Sequence, residues 1–237
     1  MFLVSFAGNL YHRLKLISKK FSRKGLYEWL DQQIAAMPPG ANLVLNIGAG
    51  GAVFQKIQKI DAEKILQVDI DPDRKPDIVA DACDMNMFAD RSVDAIFLIE
   101  VLEHINQPWL AVKELHRILK PGGKIFVTTP FIFPIHDRPY DFYRYTEYGL
   151  AYLFNDFENV NIDRRNSYTQ AIYVLFARAM FGEGKKSKLA GAVIFSLSLL
   201  LLPLFLLADI FYKNDAATTG YVLSAIKPPH STSGDKP

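Results

Sequence analysis

The segment Val44-Leu-Asn-Ile-Gly-Ala-Gly-Gly-Ala52 constrains this chain more than any other. An apolar run stops at a glycine-rich turn, and a helical pattern follows. A second apolar run, Ile65-Leu-Gln-Val68, then ends at Asp69. Physically this is a strand, a tight turn that admits a ligand close to the backbone, and a carboxylate placed for a ribose diol. The pattern points to an adenosine-containing cofactor.

Two cofactor classes compete for such a turn. A dinucleotide site calls for Gly-x-Gly-x-x-Gly, but Val53 stands where the third glycine belongs. S-adenosylmethionine has no pyrophosphate, so it needs close backbone approach and no phosphate cradle. A nicotinamide-dependent epimerase or reductase also requires a Tyr-x-x-x-Lys pair near the cleft, and none is found there.

Strand and helix patterns alternate from Gly25 onward. A helix at Leu26–Met37 stops at Pro38-Pro39-Gly40. Strand patterns follow at Leu43–Ile47, Ile65–Val68, Asp77–Ala80, Val93–Ile99 and Lys124–Thr129, with helices near Val53–Lys59 and Trp109–Leu119. Such alternation implies a parallel sheet covered on both faces, with ligands at the carboxyl ends of its strands. A helix at Glu147–Phe154, a strand at Asn159–Arg164, an apolar helix at Tyr168–Phe181 and a last strand at Gly220–Lys227 complete the pattern.

Composition adds three constraints. The 237 residues are half hydrophobic, enough for one well-buried domain with extra material, and a net charge of +2 gives no polyanion-binding signal, so nucleic acid is not expected. The lone Cys83 cannot form an intrachain disulfide, which fits a reducing compartment. No Cys/His spacing suggests zinc, and no metal is expected.

The motifs beyond the glycine turn resemble class I S-adenosylmethionine-dependent methyltransferases of the small-molecule, type 11 family. The supporting residues are Asn46-Ile-Gly-Ala-Gly-Gly-Ala52, Asp69, Asp81-Ala82, Val93-Asp-Ala-Ile96, Glu100-Val-Leu-Glu-His104 and Leu119-Lys-Pro-Gly-Gly123. The last two blocks are far more specific than the turn. The resemblance implies a seven-stranded Rossmann-like α/β sheet, its last strand antiparallel beside the fifth, with an apolar helical insertion before it. It implies the methyltransferase domain at 25–165 plus 219–228. It places Gly48, Ala49 and Gly50 beneath the methionine part of the cofactor and Asp69 on the ribose hydroxyls. Asp81 would meet the adenine amino group with Ala82 beside the ring, and Glu100 would lie near the sulfonium. Asn46 departs from the pattern, standing where an acid is usual, as does Ala52 where a third glycine is common. The departures motivate an alternative, a non-catalytic cofactor-binding or scaffold protein of the same fold.

Each residue also has a plainer reading. Asp69 and Asp81 can cap the turns that follow them. Glu103 and His104 can open a helix, and the structural role is preferred for His104. The loop His136–Thr146 is the candidate acceptor site, resembling a stretch of methyltransferases encoded among bacterial cell-surface glycan genes. His136 is the candidate catalytic base, with Asp137 and Asp141 to orient it. Tyrosines there can stack on sugar rings, and Arg138 and Arg144 can hold an anion. The plainer reading is a solvated lid with an internal Arg–Asp network.

Two segments point to a membrane. Residues 1–24 read as an amphipathic helix with Leu3, Phe6, Leu10, Leu14, Ile17 and Phe21 on one face. Arg13, Lys15, Lys19, Lys20, Arg23 and Lys24 occur there without an acid, which suits anionic lipid, or a solvated face of a packed helix. This start lacks the features of a signal peptide. The insertion at 166–218 contains Leu189–Ala208, uncharged and long enough to cross a bilayer. Strands on either side share one sheet, so a single crossing is excluded. In a membrane the segment must dip and return at Pro203, cross together with Tyr168–Phe181, or lie along the surface; the soluble alternative is a buried helical hairpin or a dimer interface. The tail at 229–237 reads as disordered. The expectation is a protein at the cytoplasmic face of a membrane, the bacterial inner membrane, that methylates an oxygen of a small polar, glycan or lipid-linked acceptor.

Overall fold

The computed structural model describes residues 2–179 and 184–229, apart from the side chains of 2–11, 14, 15, 18, 20, 21 and 185. The tail from 230 onward and part of the basic linker at 182–188 thus lie outside the described residues. So does most of the apolar stripe expected at 1–24; of that stripe only Ile17 is described, and it is exposed.

The helices are α1 (Phe2–Ala35), α2 (Gly51–Ile57), α3 (Pro108–Ile118), α4 (Glu147–Leu153), α5 (Tyr168–Arg178) and α6 (Gly184–Phe211). The strands are β1 (Ala41–Ile47), β2 (Ala62–Asp69), β3 (Ile78–Val79), β4 (Val93–Ile99), β5 (Leu119–Pro130), β6 (Glu158–Arg164) and β7 (Gly220–Ile226). They form one seven-stranded sheet in the order β3-β2-β1-β4-β5-β7-β6. Strands β3 through β5 pair in parallel. Strand β7 runs antiparallel to β5, since Gly122 N donates to Lys227 O and Lys227 N to Gly123 O, both at 2.9 Å, while Ile132 N donates to Thr218 O at the other end. This is the Rossmann-like arrangement with the reversed last strand beside the fifth.

The chain divides into two compact units. One holds Met1–Glu28, Ile132–Pro134 and Arg164–Gly220; the other holds Trp29–Phe131, Ile135–Asp163 and Tyr221–Pro237. The second unit is built around the central strands. Val44, Leu45, Ala95, Ile96, Phe97, Leu98, Ile125, Phe126 and Val127 are all essentially inaccessible to solvent. Consecutive residues are buried because helices cover both sheet faces, which is why these strands read as continuous apolar runs. Phe97 stacks on Phe126 at 4.7 Å, and Trp29 meets Phe126 edge-on at 6.2 Å. At the amino ends of the strands Asp94 accepts from the Asn42 and Leu43 amides and from Lys120 Nζ at 2.6 Å, which fixes the register of β1, β4 and β5.

In the first unit two expectations change. Separate helices at 1–24 and 26–37 are one continuous helix, α1. Gly25 does not break it; the glycine lets the helix approach Arg165, whose carbonyl oxygen would lie 2.0 Å from an added Cβ. Likewise Pro203 sits inside α6 without reversing the chain, so there is no turn there. A proline removes one helix hydrogen bond and clashes locally, but packing on both sides keeps the axis continuous. Phe195 packs with Ala177 before Pro203, and Phe205 meets Tyr173 and Phe176 after it. Helices α5 and α6 are antiparallel. Asp209, near the end of α6, accepts from Ser167 and Thr169 hydroxyls and from Gln170 Nε2 at the start of α5. Helix α5 has 11 residues, about 17 Å, too short to cross a hydrocarbon core of about 30 Å beside its partner.

Candidate active site

The glycine turn is built by three local devices. Gly48 has φ +92°, and a Cβ there would lie 2.4 Å from Val101 Cγ2, so no side chain fits between β1 and the end of β4. Asn46 is fully buried at the end of β1, and its Nδ2 donates to Gly48 O at 3.1 Å. A carboxylate in this position could not make that bond while ionised. The departure from an acid is therefore a change in how the turn is held. Ala49 N donates to Asp69 Oδ2 at 2.6 Å, and Gly50 N to Gln67 Oε1 at 3.0 Å, so β2 carries the turn from the side.

Asp69 is nearly buried, and its other oxygen accepts from Asp71 N at 2.9 Å. A carboxylate offers about four lone-pair sites. Two are used to shape the turn, and Arg74 Nε lies 3.9 Å from Oδ2. Asp81 accepts from Cys83 N at 2.8 Å, capping its own turn, with Ala82 buried behind it. The loop carrying Asp81 is anchored by Arg117, which donates to Met85 O at 3.0 Å and Phe88 O at 3.1 Å and pairs with Glu114 and Asp90. Glu100, just beyond β4, adopts a left-handed φ of 56°, a strained conformation for a residue with a Cβ. Its amide donates to Thr128 O and its Oε1 accepts from Thr128 Oγ1, both at 3.0 Å. Asn46, Gly48, Ala49, Gly50, Asp69, Asp81, Ala82 and Glu100 all lie at or just after the carboxyl ends of parallel strands in one compact unit.

The loop after β5 supplies a second group of side chains to the same unit. His136 Nε2 lies 3.6 Å from Glu103 Oε1, and His104 Nε2 lies 3.7 Å from the same atom. The two imidazole rings meet edge-on at 4.9 Å. Glu103 has no solvent exposure, and neither of its carboxylate oxygens makes a hydrogen bond among the described residues. Burial pushes its carboxyl above the ordinary range. The Glu103 carboxylate in turn pushes the His136 imidazole up, against the effect of burial. Asp141 lies 3.4 Å from His136 Nδ1 and accepts from the His136 amide at 3.0 Å. Burial opposes ionisation of Asp141, but the two-pronged Arg144 pairing outweighs it and holds the carboxyl at about 2.

This geometry revises two expectations for the loop. Arg144 is committed to Asp141 and Tyr143 O, which matches the internal-network reading and not an anion clamp. Tyr143 and Tyr145 turn their hydroxyls inward, to Asn106 O and Leu102 O, leaving Tyr140 and Phe142 as the exposed rings. Read from the sequence, Glu103 and His104 belong to a helix start; the structure brings both beside His136. The signal was present in Glu100-Val-Leu-Glu-His104, but nothing local shows that His136 folds onto it.

Residues 45–127 match the family model described as a methyltransferase domain. This segment is a class I methyltransferase domain of the type 11 kind. S-adenosylmethionine is the cofactor of that enzyme class. A ubiquinone biosynthesis O-methyltransferase from Coxiella burnetii is 37% identical over 62 residues, 26% of this chain and 24% of that protein. The chain spans 24% and 40% of the length of two groups of curated relatives that it matches. Among solved structures, an S-adenosylmethionine-dependent methyltransferase from Archaeoglobus fulgidus has a TM-score of 0.56 at 18% identity, covering 90% of this chain and 98% of that one. Phosphoethanolamine N-methyltransferase 2 of Haemonchus contortus, crystallised with S-adenosyl-L-methionine, has a TM-score of 0.54 at 16% identity, covering 87% of this chain and 52% of that one. At these identities the structures speak for the fold alone.

Proposed function

We propose that this protein moves the methyl group of S-adenosylmethionine to an oxygen of a polar, glycan or lipid-linked acceptor at the cytoplasmic face of a membrane. One observation carries the methyl-transfer reading. The residues expected to hold the cofactor and the Glu103–His104–His136 group follow the ends of neighbouring strands in one unit. Glu100, at a left-handed φ, and Glu103 lie three residues apart after β4, joining the expected cofactor end to the expected acceptor end. Aligning acceptor oxygen, methyl carbon and sulfur in line supplies most of the rate. His136, oriented by Asp141 and backed by Glu103, is the group placed to take the acceptor's proton. The name of the Coxiella relative supports oxygen as the methylated atom. Asn46 no longer argues for a non-catalytic protein, because its amide holds the turn.

The membrane reading is supported by α6. Lys186–Phe211 is long and apolar enough to cross a bilayer, and only 17% of its most apolar stretch is buried. Leu189, Val193, Leu197, Leu200, Leu204, Leu207 and Phe211 form an exposed stripe at three- and four-residue steps, with further exposed apolar residues beside it. With α5 short and Pro203 inside a continuous helix, lying along or dipping into the interface fits better than a paired crossing. Arg13, Lys19, Arg23 and Lys24 are exposed on α1 and suit anionic headgroups. Purified protein incubated with S-adenosylmethionine and a lipid-linked glycan extract should release S-adenosylhomocysteine and label the lipid fraction. Release no faster than in protein-free controls, across extracts, would defeat the enzymatic reading.

A further inference from the structure

We propose that Glu103, His104 and His136 bind a divalent first-row transition cation. The proposal rests on the fold reading for the position of the acceptor, but the binding claim stands on geometry alone.

The three side chains place one donor atom each within 4.8 Å of one another. Their orientation is what points to a cation. His104 Nδ1 lies 2.8 Å from Tyr140 O, and a carbonyl oxygen can only accept, so the ring proton sits on Nδ1. In neutral His104 the Nε2 lone pair is then aimed at Glu103 Oε1, 3.7 Å away. A lone pair facing a carboxylate is repulsive unless positive charge lies between them. His136 brings its Nε2 to 3.6 Å from the same Glu103 oxygen, with Asp141 3.4 Å from its Nδ1. Asp141 is itself held by Arg144. For His104, a carbonyl on Nδ1 with Nε2 directed at a shared centre is the orientation of metal-binding histidines. Glu103 completes the set as a fully buried carboxylate that makes no hydrogen bond among the described residues.

An ion about 2.1 Å from each donor needs donor separations of roughly 3.0–3.4 Å. The two histidine–Glu103 separations, 3.6 and 3.7 Å, need closure by a few tenths of an ångström, and the two histidine donors, within 4.8 Å of each other, must draw together as well. Two imidazoles and one carboxylate select a first-row ion such as zinc, cobalt or manganese over magnesium or calcium, which prefer oxygen donors. Three protein donors leave coordination positions open. Glu100 on the same turn and exposed Asp137, 3.8 Å from His104 Nε2, add negative charge. With an ion bound, its open positions would accept an oxygen ligand, and His136 would serve as a ligand and not as the base in that state.

The test is titration of metal-depleted, full-length protein with Co²⁺ and with Zn²⁺. Cobalt binding is followed by its visible absorption and zinc binding by calorimetry. The expected result is one saturable site per chain, weakened at least 10-fold in His104→Ala and in His136→Ala, and outcompeted poorly by Mg²⁺. His104 is partly exposed, so its variant keeps a test available if Glu103→Gln does not fold. Affinity for S-adenosylhomocysteine, measured in parallel, should be the same in wild type and both histidine variants. Failure of that affinity in all proteins would strike the cofactor reading and leave the metal result to stand separately. Absence of saturable Co²⁺ and Zn²⁺ binding, or equal binding by wild type and both variants, would overturn the proposal and leave a proton shared by Glu103 and His136 as the positive charge between them.

Discussion

Replacing Gly48 by alanine puts a methyl group where Val101 already stands. The new Cβ would lie 2.4 Å from Val101 Cγ2, against an ordinary carbon contact of about 3.5–4.0 Å. The backbone adds a second cost, since φ is +92°. Holding a residue with a Cβ in such a conformation costs about 1–3 kcal/mol, and forcing an extra methyl into a packed site costs about 1–3 kcal/mol. Together Gly48→Ala should lose roughly 2–6 kcal/mol of stability. The parts are separable. Val101→Ala removes Cγ2, so in the double variant the steric part should return while the backbone part persists. The coupling energy of the cycle should then be about 1–3 kcal/mol, within the span seen for residues in contact. Urea unfolding followed by tryptophan fluorescence is a suitable assay. Both tryptophans, Trp29 and Trp109, belong to the unit that contains the turn. A Gly48→Ala variant within about 0.5 kcal/mol of wild type would refute the close approach. A destabilised variant with no coupling to Val101 would refute its steric cause.

Asp69→Ala should lower cofactor affinity by about 1–3 kcal/mol and loosen the turn as well, because Ala49 N–H loses its acceptor; calorimetry that finds unchanged affinity would remove Asp69 from the site. In metal-depleted protein the His136 imidazole, followed by NMR, should titrate above 6.5, and Glu103→Gln should move it down, since Glu103 is the largest cause of the upward shift. The sign for stability follows: with the folded value raised, the Glu103–His136 pairing contributes fully below about pH 6.5 and is lost as pH rises through the folded value. A titration at or below 6.5 in the wild type would contradict this. The triple change Leu200→Glu, Leu204→Glu and Leu207→Glu alters exposed positions of α6. It should abolish flotation with anionic vesicles and leave affinity for S-adenosylhomocysteine unchanged; flotation equal to wild type would exclude α6 as the membrane contact.

Much of the fold was legible along the chain because its signals are local. The runs that became β1 and β4 are buried on both faces and therefore read as continuous apolar stretches, and β4 matched its expected bounds of Val93–Ile99. Gly48 and Asp69 announced a turn and a carboxylate at strand ends, where chain order alone brings them together. Gly25 and Pro203 read as breaks, since each weakens an isolated helix. Only tertiary packing showed otherwise, through Arg165 against Gly25 and through α5 against both sides of Pro203. Asn46 shows the same division: the sequence marked it as a departure, and the bond from its amide to Gly48 O supplied the reason. The acceptor end was the least legible. His136 carries no local mark of pairing with Glu103, and His104 reads as a helix-opening residue until Tyr140 O fixes its ring. Side chains distant in sequence that share one buried charge are set by the path of the intervening loop, and that path is decided by the packed fold.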